Sequence, residues 1–208
     1  MAQLQQIQAA KHVHLVRVFD KLEQTVFAGV PIMIAGGAVR KAFQELDLGR
    51  SDIDLFFANN SDFERARQVL GTLTNKIYAN SNCIGATLDR SQLNLGFDCT
   101  RIQLIKKRIY PGFLEMFNDF DFTICQFGYR DGFFQTTERA VQDLNDKRLE
   151  FVNPGQNAET TPNRLYKYLC RGFTPSVEIV DNTLVKGNVT LSPWSITLMS
   201  AEEEYDTF

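Results

Sequence analysis

Apolar residues recur along this chain with two alternating periods, and the alternation sets out the elements. Over residues 3 to about 27, Leu4, Ile7, Leu15, Val18, Phe19, Leu22 and Val26 fall at helical spacing and predict an amphipathic helix closed by Gly29. Val30 to Ala35 then reads as a short buried strand. After Gly36-Gly37 a helical pattern turns Val39, Ala42, Phe43 and Leu46 inward and breaks around Gly49. Asp52-Ile53-Asp54 opens a second apolar run, Leu55 to Phe57. Ser61-Asp62-Phe63-Glu64 has the form of a capping box. It starts a helix with Phe63, Ala66, Val69, Leu70, Leu73 and Ile77 on its apolar face.

From Cys83 to Tyr110 the period changes to that of strands. Thr87-Leu88 and Leu93-Leu95 precede a turn near Gly96, and Arg101 to Ile105 returns as the second arm of a hairpin. Pro111 suits the first turn of a short helix through Phe117. Phe120 to Tyr129 is a further apolar strand, turned at Arg130-Asp131-Gly132 into Phe133-Phe134. A helix from Thr136 to about Leu144 leads to the strand Arg148 to Val152 and a turn at Asn153-Pro154-Gly155. Pro162 opens a last helix through Leu165, Tyr166, Leu169 and Cys170, ending at Gly172. We expect a core over 1–175, including the N-terminal helix, and a short extension over 176–208 with an acidic tail from Glu202 to Phe208.

Composition narrows the class. The 208 residues suffice for one sizeable core, and 17 phenylalanines must largely fill it. A net charge of −3 argues against a surface devoted to coating nucleic acid. Cys83, Cys99, Cys125 and Cys170 lie far apart with no C-x-x-C pair, which predicts reduced thiols in a cytoplasmic protein. No apolar run has membrane-spanning length and no signal-peptide pattern is present. His12 and His14, two residues apart on the predicted first helix, face different ways and make a poor metal pair.

The chemistry concentrates between Ile34 and Phe57. Asp52 and Asp54 alternate within a strand pattern, so both carboxylates share one face. Two like charges held close need a cation, and magnesium, which takes oxygen ligands from carboxylates and substrate phosphates, is the economical partner. Gly36 and Gly37 let backbone N–H groups approach a phosphate closely, and Arg40 balances its charge.

Gly36-Gly37-Ala38-Val39-Arg40 followed by Asp52-Ile53-Asp54-Leu55 resembles the GGxVRD…DxDL pattern of the head domain of bacterial CCA-adding tRNA nucleotidyltransferases and poly(A) polymerases. Downstream, Asp121-Phe122-Thr123-Ile124-Cys125-Gln126 is similar to that family's RRDFTINALAY. Asp143-Leu144 with Arg148 to Val152 resembles its DL…IRFV, and Pro162 to Lys167 its DPLRILR helix. Four motifs in the same order carry far more weight than one. The FDFTICQ stretch is most similar to stand-alone relatives of phage type.

The resemblance implies an α/β (α+β) polymerase-beta-like core, a mixed sheet with flanking helices. It also implies two magnesium ions on Asp52 and Asp54, and in-line attack of a hydroxyl on a nucleotide α-phosphate. Gly36, Gly37, Arg40, Arg164 and Lys167 would bind the nucleoside triphosphate. The chain departs from the family where a third carboxylate is expected. Gln103 stands there, able to ligate a metal through its carbonyl oxygen but not to act as a base. Asp121, or else Asp98, is the candidate to supply the missing catalytic charge; an ordinary strand-start or cap residue is the alternative for Asp121. The basic run Arg101, Lys106, Lys107 and Arg108 fits a phosphate backbone or a solvated strand end. The expected activity is transfer of a nucleoside monophosphate to an acceptor hydroxyl. An RNA 3′ end leads as acceptor, ahead of a small molecule or a protein. The rival is a degenerate core that binds nucleotide or a partner protein without turnover. Neither the nucleotide nor the oligomeric state is legible.

Overall fold

A computed structural model describes residues 3–49, 51–74, 76–89, 99–153, 157, 160–176, 178–180, 183–186 and 189–191. The turn near Gly96, Asp98, Pro154-Gly155 and the acidic tail lie outside these residues.

The chain opens on a strand, β1 (Leu4–Gln8), where the apolar spacing predicts a helix. Strand β1 pairs antiparallel with β8 (Phe133–Thr137), Leu4 across from Thr137 and Gln8 across from Phe133. Helix α1 begins only at His14 (His14–Lys21) and continues as a π turn over Leu22–Val26. Leu4 and Ile7 have helical spacing and in the strand fall on opposite faces of the sheet, each partly buried; a helical extension this short is marginal in water. The unpaired edge of β8 offers a full ladder of backbone partners instead. Long-range pairing overrides the local pattern.

The elements that follow are β2 (Met33–Ala35), α2 (Gly37–Phe43), β3 (Ile53–Phe56), α3 (Asn60–Leu73), β4 (Ile77–Ala79), β5 (Cys83–Asp89) and β6 (Cys99–Ile105). Next come α4 (Phe113–Asn118), β7 (Phe127–Arg130), β8, α5 (Glu138–Asn145), β9 (Arg148–Leu149), α6 (Thr161–Cys170) and β10 (Thr174–Pro175). Among the described residues the main sheet runs β1-β8-β7-β2-β3-β6-β5-β4. Its neighbours are antiparallel except β3 and β6, which are parallel across the crossover containing α3. Strands β9 and β10 form a separate parallel pair with α6 between them in sequence. Three short strands, β11 (Glu178–Val180), β12 (Thr183–Lys186) and β13 (Val189–Leu191), make an antiparallel sheet of their own.

Two boundaries move for identifiable reasons. Helix α3 is capped by Asn59, whose side chain accepts the Asp62 N–H at 2.9 Å, and it stops at Leu73 because Thr74 is extended. Ile77 therefore leaves the expected apolar helix face for β4, where it is 40 % exposed. The run Phe120 to Tyr129 is broken by a 3-10 turn at Thr123–Cys125, and only its end forms β7. The Thr123 hydroxyl donates to Asp143 at 2.7 Å, and the Gln126 amide donates to the Phe117 carbonyl at 3.0 Å. With its polar groups satisfied by α5 and α4, this segment gains nothing from a continuous ladder.

The sheet has one fully covered face. Ile34, Ile53, Leu55, Ile102, Leu104, Phe127 and Tyr129 pack there against Phe19 and Leu22, Val39 and Ala42 of α2, and Ala66 and Leu70 of α3. On the opposite face Met33, Ala35 and Phe56 meet Tyr110, Phe113, Met116 and Phe117 in a smaller cluster. Gly128 admits the Phe113 ring so closely that a Cβ there would lie 2.3 Å from it. Strand alternation puts Asp54 and Gln103 on this second, partly covered face. Cys83, Cys125 and Cys170 are free thiols. Among the described residues no helix is long and apolar enough to cross a membrane.

Candidate active site

The site forms where β2 passes into α2 beside the head of β3. Gly36 adopts φ +93°, a backbone conformation L side chains rarely take. A Cβ on Gly36 would lie 3.4 Å from the Asp54 Oδ2, whereas one on Gly37 would meet nothing within 4 Å. The Gly36 N–H donates to the Phe127 carbonyl at 2.9 Å. Gly36 thus turns the chain and lets Asp54 lie against bare backbone, while its own N–H serves the sheet rather than a phosphate. Gly37, the first residue of α2, borders open space.

Asp54 sits between Ala35 of β2 and Gln103 of β6 in the strand register. Its side chain keeps some solvent access, yet protein surrounds it on most sides. Burial, and next the negative charge of Asp52, push its carboxyl up to about 7; Arg164 and Lys167 pull the other way. Asp52 is better provided. The Arg101 guanidinium lies 2.7 Å from its Oδ1, the Gln103 amide donates to its Oδ2 at 2.5 Å, and its side chain is only 8 % exposed. Arg101 and Gln103 are two residues apart on β6 and so share the face of the aspartates. The sequence reading placed Arg101 in a basic run; strand alternation from Gln103 was the signal for its place beside Asp52. The backbone N–H groups of Lys106 and Lys107 both donate to the Asn82 carbonyl, and the Lys107 ammonium donates to Asn157 Oδ1 at 3.5 Å. Arg108 pairs with Asp119 at 2.5 Å.

Helix α6 supplies the positive side. Thr161, Pro162, Leu165 and Tyr168 are its buried face. Arg164 and Lys167, three residues apart, project together from the neighbouring stripe and act on Asp54. Asp121, proposed from sequence as a further catalytic carboxylate, is wholly buried and differently engaged. It accepts from Arg164 Nη1 at 2.6 Å and from Asn157 Nδ2 at 2.9 Å. It fixes Arg164 and presents no accessible oxygen to a metal.

Arg40 is 5 % exposed, with its guanidinium carbon 5.1 Å from the centre of the Tyr168 ring. Its Nε and Nη1 are buried with no hydrogen-bond partner. Donors left this way are costly to bury. The Tyr168 hydroxyl and the Cys125 thiol lie 3.3 Å apart beside it, and burial pushes the thiol up. Tyr168, Cys125, Asn157 and Arg101 were not assigned to the site from sequence; no pattern in the sequence marks Asn157 or Tyr168.

The structure therefore gathers Gly36, Arg40, Asp52, Asp54, Gln103, Arg164 and Lys167 around one end of the sheet. Among the described residues no group of three or more His, Cys, Asp or Glu side chains is arranged to hold a metal ion. The carboxylates Asp52 and Asp54 are hard oxygen donors of the kind magnesium takes.

The fold is that of the nucleotidyltransferase head domain. The chain superposes with the Thermotoga maritima CCA-adding enzyme complexed with tRNA at TM-score 0.58 and 18 % identity, over 82 % of this chain and 43 % of that one. It matches a CCA-adding enzyme in complex with CTP at TM-score 0.56 and one with ATP at 0.57, both at 18 % identity and 82 % coverage of this chain. The present chain spans 44 % and 42 % of those two. No curated protein matches it. Residues 7–147 match a family described as Gad2, Gabija anti-defense 2 family protein. That match runs from the end of β1 through α5, with most of the sheet and both aspartates, and the chain belongs to the Gabija anti-defense 2 family.

Proposed function

We propose that the chain binds a nucleoside triphosphate with magnesium and transfers its nucleoside monophosphate to an acceptor hydroxyl. The observation that carries this reading is the pairing of opposites at one place. The Arg164–Lys167 stripe acts on a carboxylate pair set against a glycine turn, and the helix which that turn opens carries a buried Arg40 with unused donors. An anion that brings a divalent cation satisfies both halves at once. Arg40, Arg164, Lys167 and the open side of Gly37 would receive the phosphates; Asp54 and Asp52 would hold magnesium. Asp121 positions Arg164. Magnesium, when bound, lowers the cost of charge developing at the phosphoryl oxygens. The chain's own contribution is positioning: Gly36 fixes Asp54, Asp121 fixes Arg164, and Tyr168 supports Arg40 from below. An RNA 3′ end is the leading acceptor, with a small molecule or a protein behind it. The family's description, Gabija anti-defense 2, supports a role in countering that defence and is silent on the chemistry.

The rival reading, nucleotide binding without turnover, is favoured by the Gln103 amide and the Arg101 cation on Asp52. The separating experiment supplies magnesium and each labelled nucleoside triphosphate, with RNA, small-molecule extract and protein as acceptors. Transfer that disappears in Asp52→Ala and Asp54→Asn supports the enzyme. Saturable nucleotide binding without transfer to any acceptor supports the binding module.

A further inference from the structure

We propose that this site takes a single divalent cation, accompanying the nucleotide, and that Arg101 supplies in a fixed guanidinium the positive charge that a second ion would bring. The inference rests on the nucleotide-binding reading above. It departs from the two ions that the sequence resemblance implies.

Ligand supply comes first. Two ions bridged a few ångströms apart bring four positive charges and need carboxylate oxygens shared between them. The described residues place two carboxylates here and no third. Asp54 faces Gln103 across the β3–β6 register, so a neutral amide occupies the adjoining strand position. The amide presents its nitrogen, not its oxygen, to Asp52, because a carboxylate only accepts. Gln103 in this arrangement is a donor that orients Asp52. Its carbonyl oxygen is a neutral donor and brings no negative charge to offset a second ion.

Charge comes second. The Arg101 guanidinium is 2.7 Å from Asp52 Oδ1, and the Asp52 side chain is 8 % exposed. With Oδ2 also held by Gln103, Asp52 is the more saturated of the two carboxylates. Asp54 is the opposite: Gly36 gives it room, its carboxyl oxygen lies against bare backbone, and its attracting cations stand on another helix. An ion on Asp54 can complete its shell from phosphate oxygens and water, the way magnesium usually binds nucleotide. An ion placed to serve the acceptor hydroxyl has few phosphate oxygens to draw on and depends on protein carboxylates. Among the described residues no further carboxylate stands here for that ion, and Arg101 lies beside the carboxylate that it would need.

The test counts ions rather than turnover. The full chain is titrated with Mn2+ by equilibrium dialysis and electron paramagnetic resonance, in the presence of non-hydrolysable α,β-methylene analogues of all four nucleoside triphosphates. One Mn2+ per chain with an uncoupled spectrum is expected. Arg101→Met with Gln103→Glu restores a third carboxylate and removes the competing cation. This double variant is expected to bind a second Mn2+, at least about tenfold tighter than the wild type, with the exchange-coupled spectrum of neighbouring ions. Gln103→Glu alone, which keeps Arg101, is expected to gain part of this effect, and circular dichroism verifies folding of each variant. Two coupled Mn2+ in the wild type overturn this proposal while leaving nucleotide binding intact. A folded double variant that still binds one ion overturns it too. Failure of every analogue to bind removes the nucleotide reading and this inference with it.

Discussion

The Asp121–Arg164 pair gives the sharpest prediction of how α6 is held. Asp121 is completely buried, and its two partners are Arg164 Nη1 at 2.6 Å and Asn157 Nδ2 at 2.9 Å. Arg164→Met removes the cation and leaves a buried carboxylate with a single neutral donor. Breaking a buried pair from one side costs about 3–5 kcal/mol. The Arg164 side chain is 33 % exposed, so water screens part of the attraction, and Asn157 retains one hydrogen bond. We therefore expect about 2–3 kcal/mol. Asp121→Asn leaves a half-exposed arginine that water can solvate, and should cost less, about 1–2 kcal/mol. The double variant should fall short of the sum by about 1–2 kcal/mol. Urea denaturation followed by circular dichroism measures all four proteins. With a slope of about 2 kcal/mol per molar, Arg164→Met should lower the midpoint by about 1–1.5 M. A midpoint within about 0.2 M of the wild type, or strict additivity in the double variant, would refute the buried pair as the clamp on α6.

Further outcomes follow from other groups. Arg40→Met should leave the nucleotide-free protein as stable as the wild type or about 1 kcal/mol more so, since it removes buried unpaired donors; the Tm rise produced by nucleotide and magnesium should vanish. Gly36→Ala forces a side chain into φ +93° against Asp54, and should cost about 1–2 kcal/mol together with nucleotide-dependent stabilisation, readable in one thermal-shift plate. Glu23 has a carboxyl pushed up to about 7, by burial first and then by Asp131 and Asp20, against the Asp131 N–H and Arg130. Its folded-state pKa lies above the unfolded value. The stability it contributes is thus full below about pH 4.5 and is lost as pH rises through 7. Glu23→Gln should accordingly stabilise the protein by about 1–2 kcal/mol at pH 8 and leave it unchanged at pH 4. Adding EDTA should abolish the nucleotide-dependent Tm shift and leave the Tm of the nucleotide-free protein in place.

The central strand-turn-helix-strand was legible because every device there is local. A glycine pair, an alternating Asp-x-Asp and flanking apolar runs mean the same thing wherever they occur. The strand beside it was legible too, and Gln103 does lie across from Asp54. What stayed hidden depends on distant partners. Leu4 to Gln8 is a strand only because β8 has an open edge, and Ile77 is one only because β5 does. Asp121 looked like a spare carboxylate because nothing in its neighbourhood of sequence mentions Asn157 or Arg164. Arg101 was visible as a charge, but its engagement with Asp52 needed the β3–β6 register.

The parallel β9–β10 pair bracketing α6 has a consequence for the order of assembly. The acidic half of the site is complete once β6 has joined β3, whereas its basic half waits for α6 to dock between two strands that close after it. On a growing chain the Asp52–Asp54 strand emerges long before Arg164. Until α6 arrives, the nascent sheet carries Asp54 without the cations that later offset its burial. Contacts this far apart in sequence form slowly, and Arg164 and Lys167 act on Asp54 only once α6 is in place. A chain stopped before Thr161 would carry nearly every recognisable motif and still lack half of a site.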